Sequence, residues 1–94
     1  MPVTIQIPTA LRVFTDRKSE VQAKGAIIAE AIADFAASYP DIKQHLYDEG
    51  GTLRSFINIY LGDTNIKNLG GLDTPLKDGD ILMLVPAIAG GSNP

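Results

Sequence analysis

The chain contains no cysteine. That removes disulfides, thiolate metal sites, iron–sulfur ligation and a cysteine nucleophile, and it leaves the redox compartment open. There is one histidine, His45, so no pair of imidazoles can hold a metal, and no cysteine can complete a zinc site. Basic charge is scarce as well. Eight Lys and Arg stand against eleven Asp and Glu, a net charge of −3, whereas a nucleic-acid binder shows a basic patch. No apolar run approaches the roughly 18–20 residues of a membrane span. The opening "MPVTIQIP" has neither a basic flank nor a secretory apolar core. These absences point to an acidic, soluble domain, expected to be cytoplasmic, with neither nucleic acid nor membrane among its partners.

What is present suffices for one core. Of 94 residues, 45% are hydrophobic, which suits a single small domain. Val3, Ile5 and Ile7 alternate with Thr4 and Gln6, the period of a strand, and Pro8 ends it. Val21 and Ala23 repeat that alternation after a polar loop, so a hairpin with a long turn is expected. From Ala26 the period becomes helical: Ile28, Ile32, Phe35 and Ala36 share a face, with Glu30 and Asp34 on another. Alanine is abundant there, and "YP" stops the helix. "DIKQHLYDEGG" suggests a second short helix closed by Gly50-Gly51.

"LRSFINIYLGD" reads as a strand with Phe56, Asn58 and Tyr60 on one side and Ile57, Ile59 and Leu61 on the other. A further short strand is expected near Asn65-Ile66. "LGGLDTPLKDGD" carries turn chemistry at Pro75 and Asp78-Gly79. "ILMLVP" is continuously apolar, as in a strand buried on both faces, and belongs in the middle of the sheet. The fold class expected is α+β. One main helix packs on one face of a mixed sheet, the economical way to bury both apolar surfaces.

No catalytic constellation emerges. His45 sits among charged residues and reads as a solvated helix histidine. No serine lies in a nucleophile elbow. Asp63, Asp73, Asp78 and Asp80 do not match the twelve-residue calcium loop, and Asp-Gly turns account better for Asp78 and Asp80. Gly50-Gly51 and Gly70-Gly71 precede no phosphate-loop lysine and read as turns. Gly90-Gly91 differs, because it follows the last strand with no further element to turn into.

The segments "IPTALR" (7–12), "FINIYLGD" (56–63), "GLDTPLKDGD" (71–80) and above all "LVPAIAGG" (84–91) resemble the ubiquitin-like sulfur carriers of the ThiS/MoaD type, most strongly the CysO-type carriers of cysteine biosynthesis. The resemblance implies a β-grasp domain over residues 1–86 and a flexible tail over 87–94. It implies a protein substrate rather than an enzyme. In the family an adenylating, sulfur-transferring enzyme joins the terminal glycine carboxylate to AMP from ATP, and sulfur displaces AMP to leave a thiocarboxylate. The carrier itself binds no cofactor and no metal; ATP is used by the activating partner. Gly91 is the corresponding residue here, preceded by Ala89 and Gly90. Most such carriers end at the second glycine, whereas this chain continues through Ser92, Asn93 and Pro94.

Trimming between Gly91 and Ser92 is therefore implied, for which the family's zinc metalloprotease is the fitting class. The sulfur acceptor would be an enzyme such as a pyridoxal-phosphate-dependent sulfhydrylase. Partners are expected on the sheet face beside the tail, with Phe56, Tyr60, Leu61, Met83 and Val85 as candidates. Alternate residues of each strand must face the helix, so the set needs to be exposed together. Competing readings are a subunit of a molybdopterin-synthase-type complex, a ubiquitin-like protein modifier and an interaction module with an inert tail.

Overall fold

A computed structural model of the chain describes residues 2–54 and 57–86. Its strands are β1 (Pro2–Gln6), β2 (Glu20–Lys24), β3 (Ile57–Leu61), β4 (Thr64–Asn65) and β5 (Ile81–Pro86). Its α-helices are α1 (Ile28–Ser38) and α2 (Pro40–Leu46). The strand order across the sheet is β2-β1-β5-β3-β4. β1 and β2 form the expected antiparallel hairpin, β5 runs parallel to β1, and β3 is antiparallel to β5. The β-grasp arrangement is thus in place, with the last strand at the centre.

The helix lies where its period puts it. Ile28, Ala31, Ile32, Phe35 and Ala36 are buried, and they join Val3, Ile5, Ile57, Ile59, Leu82 and Leu84 in one core. The polar face of α1 is tied down as well as solvated. Glu30 reaches back to accept from the Ala26 amide at 2.8 Å, and Asp34 accepts from the Lys24 amide at 2.9 Å. These carboxylates satisfy backbone donors at the helix entry and on the neighbouring edge strand. The entry is also laced to a distant turn: the Ile28 amide donates to the Thr74 carbonyl at 3.1 Å, and the Leu76 amide to Ala26 at 2.9 Å. Gly25 is needed for space. A Cβ there would lie 2.5 Å from the Ala31 amide nitrogen.

Three expectations need correction. The loop between β1 and β2 is a 3-10 helix, Thr9–Phe14, that buries Leu11. Thr15 behind it is fully buried, its hydroxyl shared between the Arg12 and Lys18 carbonyls. α2 ends at Leu46, not at the glycines. Gly50-Gly51 lie in a following turn, where Tyr47 bridges Leu53 and Gly51 takes φ +83°. Finally, "ILMLVP" is central in the sheet yet covered on one face alone. Leu82 and Leu84 are buried, whereas Ile81 is 46% and Met83 40% exposed.

Candidate functional site

Both helices pack on the face that carries Leu82 and Leu84. The opposite face is left without a covering element among the described residues. Strand pairing determines which side chains meet there. Gln6 stands opposite Met83 across β1 and β5, and Met83 opposite Tyr60 across β5 and β3. Glu20 extends that row beyond Gln6, and Asn65 extends it beyond Tyr60. The row therefore crosses all five strands, with an exposed thioether at its centre. A second row joins Gln22, Thr4 and Ile81, fastened by the Gln22 amide donating to the Thr4 hydroxyl at 2.9 Å. Val85 stands opposite Asn58 one step nearer the tail.

Tyr60, Met83 and Val85 thus share this uncovered face. Leu61 does not. It pairs with Leu82 and packs against the core beneath the helices, because it has the parity of Ile57 and Ile59. Phe56, Ala89, Gly90, Gly91 and Ser92 lie outside the described residues. Ile81, Gln6 and Asn58 complete the face and were not among the sequence candidates. Their own alternation could have flagged them, but it does not say which strands are neighbours.

The root of the tail has its own geometry. Continuing the β1–β5 register past Gln6 would set residue 8 beside Val85. Pro8 has no N–H to donate, so the ladder stops. The chain veers off instead: the Ile7 amide donates to the Ser19 carbonyl at 2.8 Å, and Arg12 Nε donates to the Ile7 carbonyl at 3.0 Å. A cavity of about 480 Å³ opens beside the end of β5, lined by Gln6, Pro8, Arg12, Glu20, Met83 and Pro86.

The remaining chemistry is sparse. His45 stacks on Phe14 with ring centroids 4.1 Å apart; it is half-buried, not a solvated helix residue as its neighbours in sequence suggest. Burial pushes the Tyr47 phenol above its ordinary 10.0. Asp80 accepts from the Lys77 amide at 2.7 Å and Gly79 takes φ +88°, the Asp-Gly turn expected there. Among the described residues no three His, Asp or Glu side chains converge as metal ligands, and no helix is long and apolar enough to cross a membrane.

Comparison with known proteins agrees with this architecture. The model of the ThiS family matches residues 5–91. The sulfur carrier protein CysO of Mycobacterium tuberculosis is 41% identical over 93 residues, covering 97% of this chain and all of that protein. The crystal structure of the Amycolatopsis orientalis BexX/CysO complex contains a chain 44% identical, with a TM-score of 0.84 and coverage of 95% and 99%. Small archaeal modifier protein 1 of Methanosarcina acetivorans superposes with a TM-score of 0.87 at 27% identity, covering 96% of each chain. Matched from its first strand to its second terminal glycine, the chain belongs to the ThiS family.

Proposed function

We propose that this chain is a sulfur carrier that works as a substrate of partner enzymes, with Gly91 as the loaded residue. The observation that carries the reading is the end of the family match at Gly91, one short tail beyond the central strand of the sheet. The near full-length likeness to CysO supports the same role. Pro86 to Gly91 is six residues, which at ~3.3–3.6 Å each reach roughly 20 Å. The globular body can then dock outside a partner while the tip enters its site. Glycine suits the tip, since a Cβ would obstruct a narrow channel.

The chemistry needs a free Gly91 carboxylate. Its oxygen attacks the α-phosphorus of ATP and pyrophosphate leaves, giving an acyl adenylate. A sulfur nucleophile then attacks the acyl carbon and AMP leaves, giving the thiocarboxylate. An amide carbonyl cannot enter the first step, so Ser92, Asn93 and Pro94 form a pro-segment that a zinc metalloprotease removes. The body docks on the adenylating enzyme through the face of Tyr60, Met83 and Val85, whose side chains stand together beside the tail root. The sulfur passes to an acceptor such as a pyridoxal-phosphate-dependent sulfhydrylase in the synthesis of cysteine or a related thiol. The crystallised complex of BexX with a CysO relative supports a role exercised through protein partners.

Intact mass tests this directly. Incubated with the adenylating enzyme, ATP and a sulfur source, the chain truncated after Gly91 exchanges one terminal oxygen for sulfur. The 94-residue chain does not, until the metalloprotease has trimmed it. Gly91→Ala in the truncated form impairs the exchange. Equal charging of the untrimmed chain without protease overturns the pro-segment. A second reading, a protein modifier, draws on the likeness to the archaeal modifier. It is distinguished by isopeptide adducts of Gly91 with lysines in place of a free thiocarboxylate.

A further inference from the structure

Met83 is placed unusually for a methionine. It sits at the centre of the sheet, on the middle strand, yet 40% of it is exposed. Its immediate neighbours along β5, Leu82 and Leu84, are buried and carry that strand's share of the core. β5 is paired on both sides, with β1 and β3. The backbone at Met83 is therefore held without any help from its own side chain. The chain has two methionines and no cysteine, so no thiol within it competes for a sulfur-directed oxidant. Susceptibility of a thioether follows its exposure.

The residues on either side matter equally. Gln6 and Tyr60 flank Met83 in the same row. Each carries a polar hydrogen, one on an amide and one on a phenol, and each can donate to an oxygen added to the sulfur. In the reduced form the Gln6 amide reaches Glu20 at 3.5 Å, at the limit of a hydrogen bond, so its present partner is held weakly. Oxidation exchanges an adaptable apolar group for a polar, chiral one in the middle of the face.

We infer that Met83 is a reversible oxidation site through which peroxide turns off docking of the carrier. The inference rests on the docking face proposed above. A hydroperoxide transfers its terminal oxygen to the Met83 sulfur: an S–O bond forms, the O–O bond breaks, the thioether is oxidised to the sulfoxide and the peroxide is reduced to water or an alcohol. A thiol-dependent methionine sulfoxide reductase returns the thioether. The fold survives both steps, since the altered group lies outside the core. Binding is weakened, because the partner meets a sulfoxide where it would bury an apolar side chain.

The test uses the full chain and hydrogen peroxide. Peptide mapping by mass spectrometry places the added oxygen on Met83 and separates it from Met1. Thermal unfolding stays unchanged. Affinity for the adenylating enzyme falls about tenfold or more, the factor expected when a methionine's apolar burial is lost, and treatment with the reductase restores it. Met83→Leu, compared with its own untreated affinity, loses nothing in peroxide. Met83→Gln binds weakly with no peroxide at all. Oxidation of Met1 with Met83 spared overturns the inference, as does oxidised protein binding within about twofold of untreated. An equal loss of affinity in peroxide-treated Met83→Leu overturns it too, by placing the damage elsewhere. If the untreated chain does not bind at all, the docking face itself fails and the switch with it.

Discussion

The imidazole of His45 lies on the ring of Phe14, centroid to centroid 4.1 Å with planes 28° apart. The two rings come from α2 and from the 3-10 helix that follows β1. They clamp that loop against the helical layer.

Replacing His45 with Ala should cost about 0.5–1.5 kcal/mol, the range of a stacked ring pair beyond its buried area. Denaturant unfolding measures it, and Phe14→Ala combined with His45→Ala should cost less than the sum of the two alone. Additive losses would show that the rings do not support each other.

Ile32 and Ile81 separate the two faces of the sheet. Ile32 is fully buried under α1, and Ile81 is half exposed on the uncovered side. Ile32→Ala should lose about 2–4 kcal/mol, and Ile81→Ala less than about 1 kcal/mol. A loss below about 0.5 kcal/mol at Ile32 would contradict the helix orientation.

Gly25 should not tolerate a methyl. Its Cβ would sit 2.5 Å from the Ala31 amide nitrogen and 2.8 Å from the Glu30 Cβ, and neither belongs to the far end of a flexible side chain. Gly25→Ala should destabilise by about 1–3 kcal/mol, as overpacking does. A neutral result in thermal unfolding would mean that the start of α1 can shift outward at no cost.

Tyr47 makes the fold sensitive to alkali. Burial raises its folded value above the ordinary 10.0. Above that pH the unfolded chain sheds the phenolic proton while the folded one retains it. The folded state then binds more protons, so stability falls as pH rises. The contribution is fully present below pH 10.0 and lost through the folded value above it. Tyr47→Phe should flatten the alkaline decline in unfolding free energy and leave the neutral range unchanged. An identical decline in both proteins would assign it to other groups.

The local periods of the sequence determined the opening hairpin, the inward face of α1 and the break at Tyr39-Pro40. These features are decided by burial period, proline and turn residues over stretches of a few neighbours, so they are legible one segment at a time. The family match runs on to Gly91, and the role proposed for that residue resides in the main chain rather than in a side chain. Leu61 and Met83 show what only the tertiary structure decided. Both are apolar residues in apolar strands, and the sequence marks them alike. The pairing of β5 between β1 and β3 turns Leu61 toward the helices and Met83 toward solvent. His45 found Phe14 across 31 positions by the same route. Which face a helix covers, and which distant loop folds over a side chain, depends on contacts between segments far apart in the chain, and a period of two or 3.6 residues carries no record of those.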